Sequence, residues 1–367
     1  MMDVQLLSEI NKGYSDPNIH LLRKLNEKWA KEKPLKNISI LHNLILSYET
    51  LQKIESLLWA GANLTVTNCD LIRVPFIQEI ENILEKCQIR YIPRYQDIRG
   101  DFDIGMDCGG RIPAIPNARI LKGTVELTQT GTVVYRKLRP SYPVISVDDS
   151  HLKNFECLYG TGEAFIRAFE SLSGKNISGK RFMIFGFGKI GRGIHHHLQL
   201  RKAKTVFVDS DRQTVYFANQ EGIHTYHSSQ KAEIQEEVKN AFAVVTATGA
   251  NDLLQSYFGT EDLFHCYLAN MGVEDEISEE FLKLPKLLFQ GNAINFSLKD
   301  PTLMKFLDPV FYAHNLAAEV LVKEELAPGY HPFDLNMDLS VIREWENAYQ
   351  EKMTCILPNA FQSDLAS

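Results

Sequence analysis

No apolar run in this chain approaches the ~20 residues needed to span a bilayer, and its mean hydropathy is slightly negative, −0.19. A membrane protein is not expected. Neither is a nucleic-acid binder, because the net charge is −7 and the lysines and arginines form no basic stripe. The six cysteines (Cys69, Cys87, Cys108, Cys157, Cys266, Cys355) are scattered without a CxxC pair. That excludes zinc-type spacing and fits reduced thiols in a cytoplasm. Internal repeats, low-complexity segments, Walker loops and nucleophile elbows are all missing. The opening stretch MMDVQLLSEINKGYSD has no apolar centre flanked by basic residues, so a secretory leader is not expected. What remains is an ordinary globular composition, 44% hydrophobic and 23% charged, in 367 residues. Single cores stop growing at roughly 250–300 residues, so two domains are expected.

The richest stretch is Arg181 to Asp209, RFMIFGFGKIGRGIHHHLQLRKAKTVFVD. An apolar run (Phe182 to Phe185) leads into Gly186, Gly188 and Gly191, spaced G-x-G-x-x-G. An amphipathic segment follows, then Val206-Phe207-Val208 and Asp209. This order reads as strand, tight turn, helix, strand, acid. The first glycine permits the sharp turn, the second lets a pyrophosphate approach the backbone, and the third lets helix and strand pack closely. Lys189 and Ile190 open the helix, whose N-terminal N–H groups face the phosphates. Asp209 stands close to the ~20-residue distance at which a carboxylate holds a ribose 2′-hydroxyl. It would repel a 2′-phosphate, so the expected cofactor is NAD. The neighbouring His195-His196-His197 cannot converge on one metal ion, because consecutive helical residues point about 100° apart.

Before this stretch, residues 4–32 read as polar helix, Ile38–Leu46 as a buried strand, and the segment after Ser47 as a helix ended by Gly61. Leu64–Thr67, Ile89–Ile92 and Ile104–Asp107 read as further strands, with a helix over Phe76–Lys86. Alternation of this kind means a parallel sheet with βαβ crossovers. Gly123–Gly131 reads as a threonine-rich loop, Val144–Asp149 as a strand and Phe155–Ser171 as one long helix crossing between domains. After Asp209 come helices to about Gln220 and near Ala232–Lys239, then strands at Phe242–Thr246, Tyr267–Asn270 and Leu287–Gln290. A mostly helical segment follows Pro301, with Leu303–Leu321 returning to the first domain as part of a hinge. The expected fold is two-domain α/β: a parallel-sheet substrate domain of residues 1–150 and 303–367, and a Rossmann-type NAD-binding domain of residues 151–302.

The order of motifs resembles the S-adenosylhomocysteine hydrolase family over roughly residues 25–340. The stretch from Lys33 to Asp70 is similar to the family's first βαβ unit. DCGG at 107–110 resembles its Asp-Asp-Gly-Gly turn, and GTVELTQTG its Glu-Glu-Thr-Thr-Thr-Gly loop. DDSHLKNFECLYG at 148–160, FGFGKIGRG, TATG, NMG and AINF follow in family order. The family oxidises a ribose 3′-hydroxyl with tightly bound NAD, eliminates homocysteine, adds water and reduces the ketone again. The resemblance implies cofactor contacts at Gly186, Gly188, Gly191, Asp209, Thr128, Thr130, Thr248, Asn270 and Asn295. It assigns Lys153 to the lysine that assists 3′-oxidation.

The proton-moving positions differ. The family's histidine before the first helix falls at Ile45, and its threonine two residues on is Ser47; Glu49 is kept. The Asp-Asp-Gly-Gly turn keeps Asp107 and has Cys108 second. The loop keeps Glu126 and has Leu127. The Asp-Asn pair is Glu156-Cys157, one residue closer to Lys153. Val273 and Asp300 occupy two more histidine positions. The family's C-terminal lysine- and tyrosine-bearing tail is not recognised. Isoleucine, leucine and valine cannot move protons, so reassigned chemistry is expected. The catalytic candidates are Lys153, Glu49, Asp107, Glu126 and Glu156, and no metal ligands are assigned. His314 and Glu319 could face the cleft. The resulting expectation is a cytoplasmic homodimer holding a small-molecule substrate between two domains, acting as an NAD-dependent oxidoreductase on an alcohol or carbonyl. The alternatives are a catalytically inactive NAD- or nucleoside-binding regulator, and a true S-adenosylhomocysteine hydrolase.

Overall fold

The computed structural model describes residues 2–13, 19–72 and 74–353; Cys355 lies outside them. The chain divides into two units. The first comprises Met1–Asp70, Phe76–Glu156 and Leu303–Ser367, the second Leu71–Pro75 and Cys157–Thr302.

The first unit opens with helices α1 (Val4–Gly13) and α2 (Leu21–Glu32). Then β1 (Ser39–Leu44), α3 (Tyr48–Trp59), β2 (Asn63–Asn68), α4 (Ile77–Lys86) and β3 (Arg90–Tyr91) alternate as expected. Ser47 is the N-cap of α3, accepting a bond from Thr50 N at 3.4 Å. Leu51, Ile54, Leu57 and Leu58 form the buried stripe of α3. β4 (Gly100–Asp107), β5 (Ala118–Glu126), α5 (Gln129–Leu138), β6 (Pro143–Ser146) and α6 (His151–Phe155) complete the N-terminal portion. The unit is closed by α12 (Met304–Lys323), β12 (Gly329–Pro332) and α13 (Leu335–Tyr349). Its seven strands run in the order β12-β6-β5-β4-β1-β2-β3, with parallel pairings throughout. α12 is anchored through Asp308, whose carboxylate accepts His20 N, Leu21 N and Leu22 N at 2.7–2.9 Å and so caps α2.

The second unit begins with α7 (Gly162–Ser173), followed by β7 (Arg181–Phe185), α8 (Lys189–Leu200), β8 (Lys204–Asp209), α9 (Arg212–Gln220) and β9 (Thr225–His227). α10 (Lys231–Val238), β10 (Ala243–Thr246), α11 (Thr260–Leu263) and β11 (Tyr267–Asn270) follow. Its parallel sheet has the order β11-β10-β7-β8-β9. One apolar layer, including Phe165, Phe169, Phe182 and Phe207, covers one face. Phe185, Phe258 and Phe281 belong to the other. α7 and α8 cross backbone to backbone: a Cβ on Gly162 would lie 2.5 Å from Gly193 C, and one on Gly193 2.6 Å from Leu158 O.

Three local readings are corrected. Gly123–Gly131 is not a loop, because Gly123–Glu126 finishes β5 and α5 starts at Gln129. Lys122 and Gly123 interrupt the apolar alternation that marks a strand, and this hid it. Leu287–Gln290 is not a strand. Leu287 makes a single bridge to Leu268, then Phe289 and Gln290 take φ of +47° and +55°, which ends any extended run. The long helix begins at His151 and passes through a π turn, Glu156–Thr161, before α7. Such turns are uncommon and recur at functional sites.

Candidate functional site

In the second unit the connections from β7 run outward through β8 and β9 on one side and through β10 and β11 on the other. The crevice at such a reversal, beyond the carboxyl ends of the strands, is where open α/β sheets take ligands. Gly186 to Gly191, Asp209, Thr248 and Asn270 all lie at these ends. Gly186 has φ +97°, and a Cβ there would sit 2.4 Å from Ala247 O. A Cβ on Gly191 would sit 2.0 Å from Gly186 O. Packing therefore requires both glycines. Gly188 differs: it is exposed, and an added Cβ meets nothing within 4 Å. The backbone at the start of α8 faces open space, and Gly188 supplies no side-chain cap to the helix. Lys189 and Ile190 form the first turn of that helix, both half-buried.

Asp209 Oδ2 accepts from Phe187 N at 2.7 Å and Oδ1 from Asp211 N at 2.8 Å. It therefore holds the turn after β7 as well as ending β8. Glu276 was missed by sequence reasoning. It is 0% exposed and accepts from Thr248 N, Thr248 Oγ1 and Gly249 N at 2.7–3.0 Å. It shapes the TATG turn after β10. Its only signal was a place in the acidic run Glu274-Asp275-Glu276. Asn270 accepts from Gly272 N and donates to Glu274 O and Gly291 O at 2.8–3.0 Å. Asn295 is buried in the short helical turn Ile294–Ser297. The three histidines diverge: His195 Nδ1 meets Thr205 Oγ1 at 2.8 Å, while His196 and His197 set their edges against Tyr159. Burial pushes His195 and His197 down to about 4.

The first unit has its own reversal, between β1 and β4. Asn43 and Asp107 face each other across it. Asp107 is 0% exposed; its oxygens accept from Asn43 Nδ2, Cys108 N, Ile112 N and Tyr135 Oη at 2.7–2.9 Å. Glu126 ends the next strand, accepting from Gly109 N, Gly110 N, Thr128 N and Thr128 Oγ1 at 2.7–3.0 Å. Burial pushes both carboxyls upward, and Asp107 adds to the rise at Glu126, which reaches about 8. The donors partly offset this. Thr128 caps α5, accepting from Gly131 N at 3.2 Å, and Thr130 lies half-buried in its first turn. Glu49 is buried in the first turn of α3. On α6, Lys153 forms an ion pair with Glu156, their side chains 13% and 5% exposed. His314 is buried with Nε2 3.2 Å from Val125 O, and Glu319 accepts from Trp29 Nε1 at 3.1 Å; both are bonded within the first unit. Asn43 and Tyr135 were not anticipated. Asn43 showed as a polar interruption in an apolar strand, whereas Tyr135 left no signal.

The second unit is thus a Rossmann-type dinucleotide domain. Comparison with known proteins narrows this. Residues 157–290 match the family described as S-adenosyl-L-homocysteine hydrolase, NAD binding domain. NAD is the cofactor that this domain takes. The chain is similar to S-inosyl-L-homocysteine hydrolase of Methanopyrus kandleri, 24% identical over 368 residues, covering 88% of this chain and 85% of that protein. It is also similar to adenosylhomocysteinase of Aquifex aeolicus, 23% identical over 394 residues and covering 94% of each. Both likenesses run through most of the chain at low identity. A solved structure of dipicolinate synthase from Bacillus halodurans resembles it at a TM-score of 0.49 and 12% identity, covering 79% of this chain and 98% of that one. No helix among the described residues is long and apolar enough to cross a membrane.

Proposed function

We propose that this protein is an NAD-dependent oxidoreductase built on the S-adenosylhomocysteine hydrolase scaffold, acting on the hydroxyl or carbonyl of a nucleoside-type substrate. The observation that carries this reading is that one chain holds both an open cofactor turn and a nearly buried Lys153–Glu156 ion pair. NAD supplies hydride chemistry when bound. Gly186, Gly188, Lys189, Ile190, Gly191 and Asp209 would hold its phosphates and ribose, with Thr248, Asn270 and Asn295 around it. Lys153 can take or return the hydroxyl proton, or polarise a carbonyl. Glu156 keeps the ammonium oriented and charged, and Glu49 is a candidate for the ribose hydroxyls.

Asp107 and Glu126 favour a second reading. Every oxygen of the two carboxylates already accepts bonds from the fold, so they are poorly placed for further proton transfer. A non-catalytic NAD- or nucleoside-binding homologue would keep the same features. The relatives' names make the hydrolase reaction a third reading, and supply the substrates to try. Purified protein should be assayed for bound NAD by mass spectrometry, then for NADH absorbance with nucleosides, S-adenosylhomocysteine and S-inosylhomocysteine. Substrate-dependent NADH supports the first reading. Bound NAD without turnover supports the second, and released homocysteine the third. Protein that never retains NAD defeats all of them.

A further inference from the structure

Lys153 sits on a helix that draws its support from the far end of the chain. α6 has five residues, and the π turn Glu156–Thr161 follows it directly, so hydrogen bonds of the regular spacing give way to longer ones before α7. A helix start also leaves its first N–H groups without partners inside the helix. Here side chains take them. Ser150 Oγ accepts from Lys153 N at 3.0 Å. Asp338, on α13, accepts from His151 N at 2.7 Å through Oδ2 and more loosely from Leu152 N at 3.4 Å through Oδ1. The same Oδ2 lies 2.8 Å from His151 Nδ1, which must carry its proton to donate there. Further along α6, the buried Phe155 ring meets Trp345 of α13 at 4.8 Å and Phe306 of α12 at 5.5 Å between centroids. Trp345 is fixed in turn, donating from Nε1 to Lys305 O at 2.9 Å.

Asp338 is 2% exposed, and a carboxylate buried this deeply is costly unless it is paired and hydrogen-bonded. Its side chain spends all its bonds on His151 and Leu152, where a negative charge also suits the partial positive charge of a helix start. Lys153 follows at once and pairs with Glu156. We propose that Asp338 is a positioning residue for Lys153: together with the Phe155–Trp345 contact it clamps α6, so that the ammonium is presented in one place. What Lys153 does there rests on the oxidoreductase reading above; where it is held rests on these contacts alone. A misplacement of about 1 Å costs up to roughly 100-fold in rate. The cofactor turn belongs to the second unit, so loss of the clamp is read in kcat and not in the affinity for NAD.

The test uses the full chain and its Asp338→Ala and Asp338→Asn variants. Trace acetic anhydride labels lysine amines, and peptide mass spectrometry compares Lys153 with the exposed Lys202. The side chain of Lys153 is 13% exposed, so the parent should label it slowly. Asp338→Ala should raise the ratio at least about tenfold and lower kcat about 10- to 100-fold, with the Kd for NAD within about twofold of the parent. Asparagine still offers an oxygen to the helix start, so Asp338→Asn should lie nearer the parent in both readouts. Hydrogen exchange in the parent should show the amides of His151, Leu152 and Lys153 protected, although a helix's first turn is ordinarily open to exchange. Parent-like labelling and kcat in Asp338→Ala would overturn the proposal. Unprotected amides in the parent would overturn it too, and need no variant to fold. If no substrate is oxidised, the labelling ratio decides alone: a rise of about tenfold keeps the clamp and defeats only the oxidoreductase reading.

Discussion

The turn after β7 makes separable demands on its glycines, and two substitutions can expose them. Gly188 has φ −76° and ψ −164°, a conformation open to any residue, and a Cβ there meets nothing within 4 Å. Gly188→Ala should therefore leave folding stability within about 0.5 kcal/mol of the parent, or raise it slightly. The added methyl, however, stands where a phosphate oxygen must approach the backbone. Losing one charge-assisted hydrogen bond there removes about 1.5–3 kcal/mol, which weakens NAD roughly 10- to 150-fold. Gly191→Ala behaves differently, because its Cβ would lie 2.0 Å from Gly186 O, a backbone atom. The turn itself must move, at about 1–3 kcal/mol, or a melting point lowered by roughly 2–12 °C. Calorimetric titration with NAD and thermal melts on the same two preparations separate the cases. If Gly188→Ala binds NAD like the parent, the phosphates do not rest on that turn and the assignment is wrong.

Three further outcomes can be checked. Asp209→Asn should weaken NAD at least tenfold and narrow the NAD-over-NADP preference; an unchanged ratio removes Asp209 from ribose recognition. Lys153→Met should abolish substrate-dependent NADH formation and, by leaving Glu156 buried without its ion-pair partner, cost about 3–5 kcal/mol. Adding Glu156→Gln should restore stability but not turnover, and turnover by the double variant would refute the role of Lys153. Glu126 is held protonated to about pH 8 in the fold against an ordinary value of 4.5. The folded state then binds the extra proton between those values, so stability falls as pH rises through that window, by up to about 1.4 kcal/mol per pH unit. Glu126→Gln should flatten this dependence in melts from pH 5 to 8, and parallel profiles would contradict it.

The alternation of strands and helices was legible because parallel sheets buried on both faces need nearly continuous apolar strands, as in Phe182–Phe185. β5 was hidden because ARILKGTVE places Lys122 and Gly123 inside the strand, where neighbouring strands rather than local pattern hold it extended. β9 and β12 are three and four residues long, too short to show a period. The cofactor turn could be read because each glycine answers a local demand. Glu276 and Tyr135 could not, because their partners lie 27 and 28 residues away in sequence and only the fold brings them near.

Where α7 meets α8, Gly162 and Gly193 leave main chain lying against main chain. No rotamer there can absorb a change, so any larger residue must displace a whole helix. One of those helices begins at the cofactor turn. A lesion at Gly162, which lies outside the cofactor turn, would thus reach the phosphates as a rigid movement and be mistaken for a binding defect.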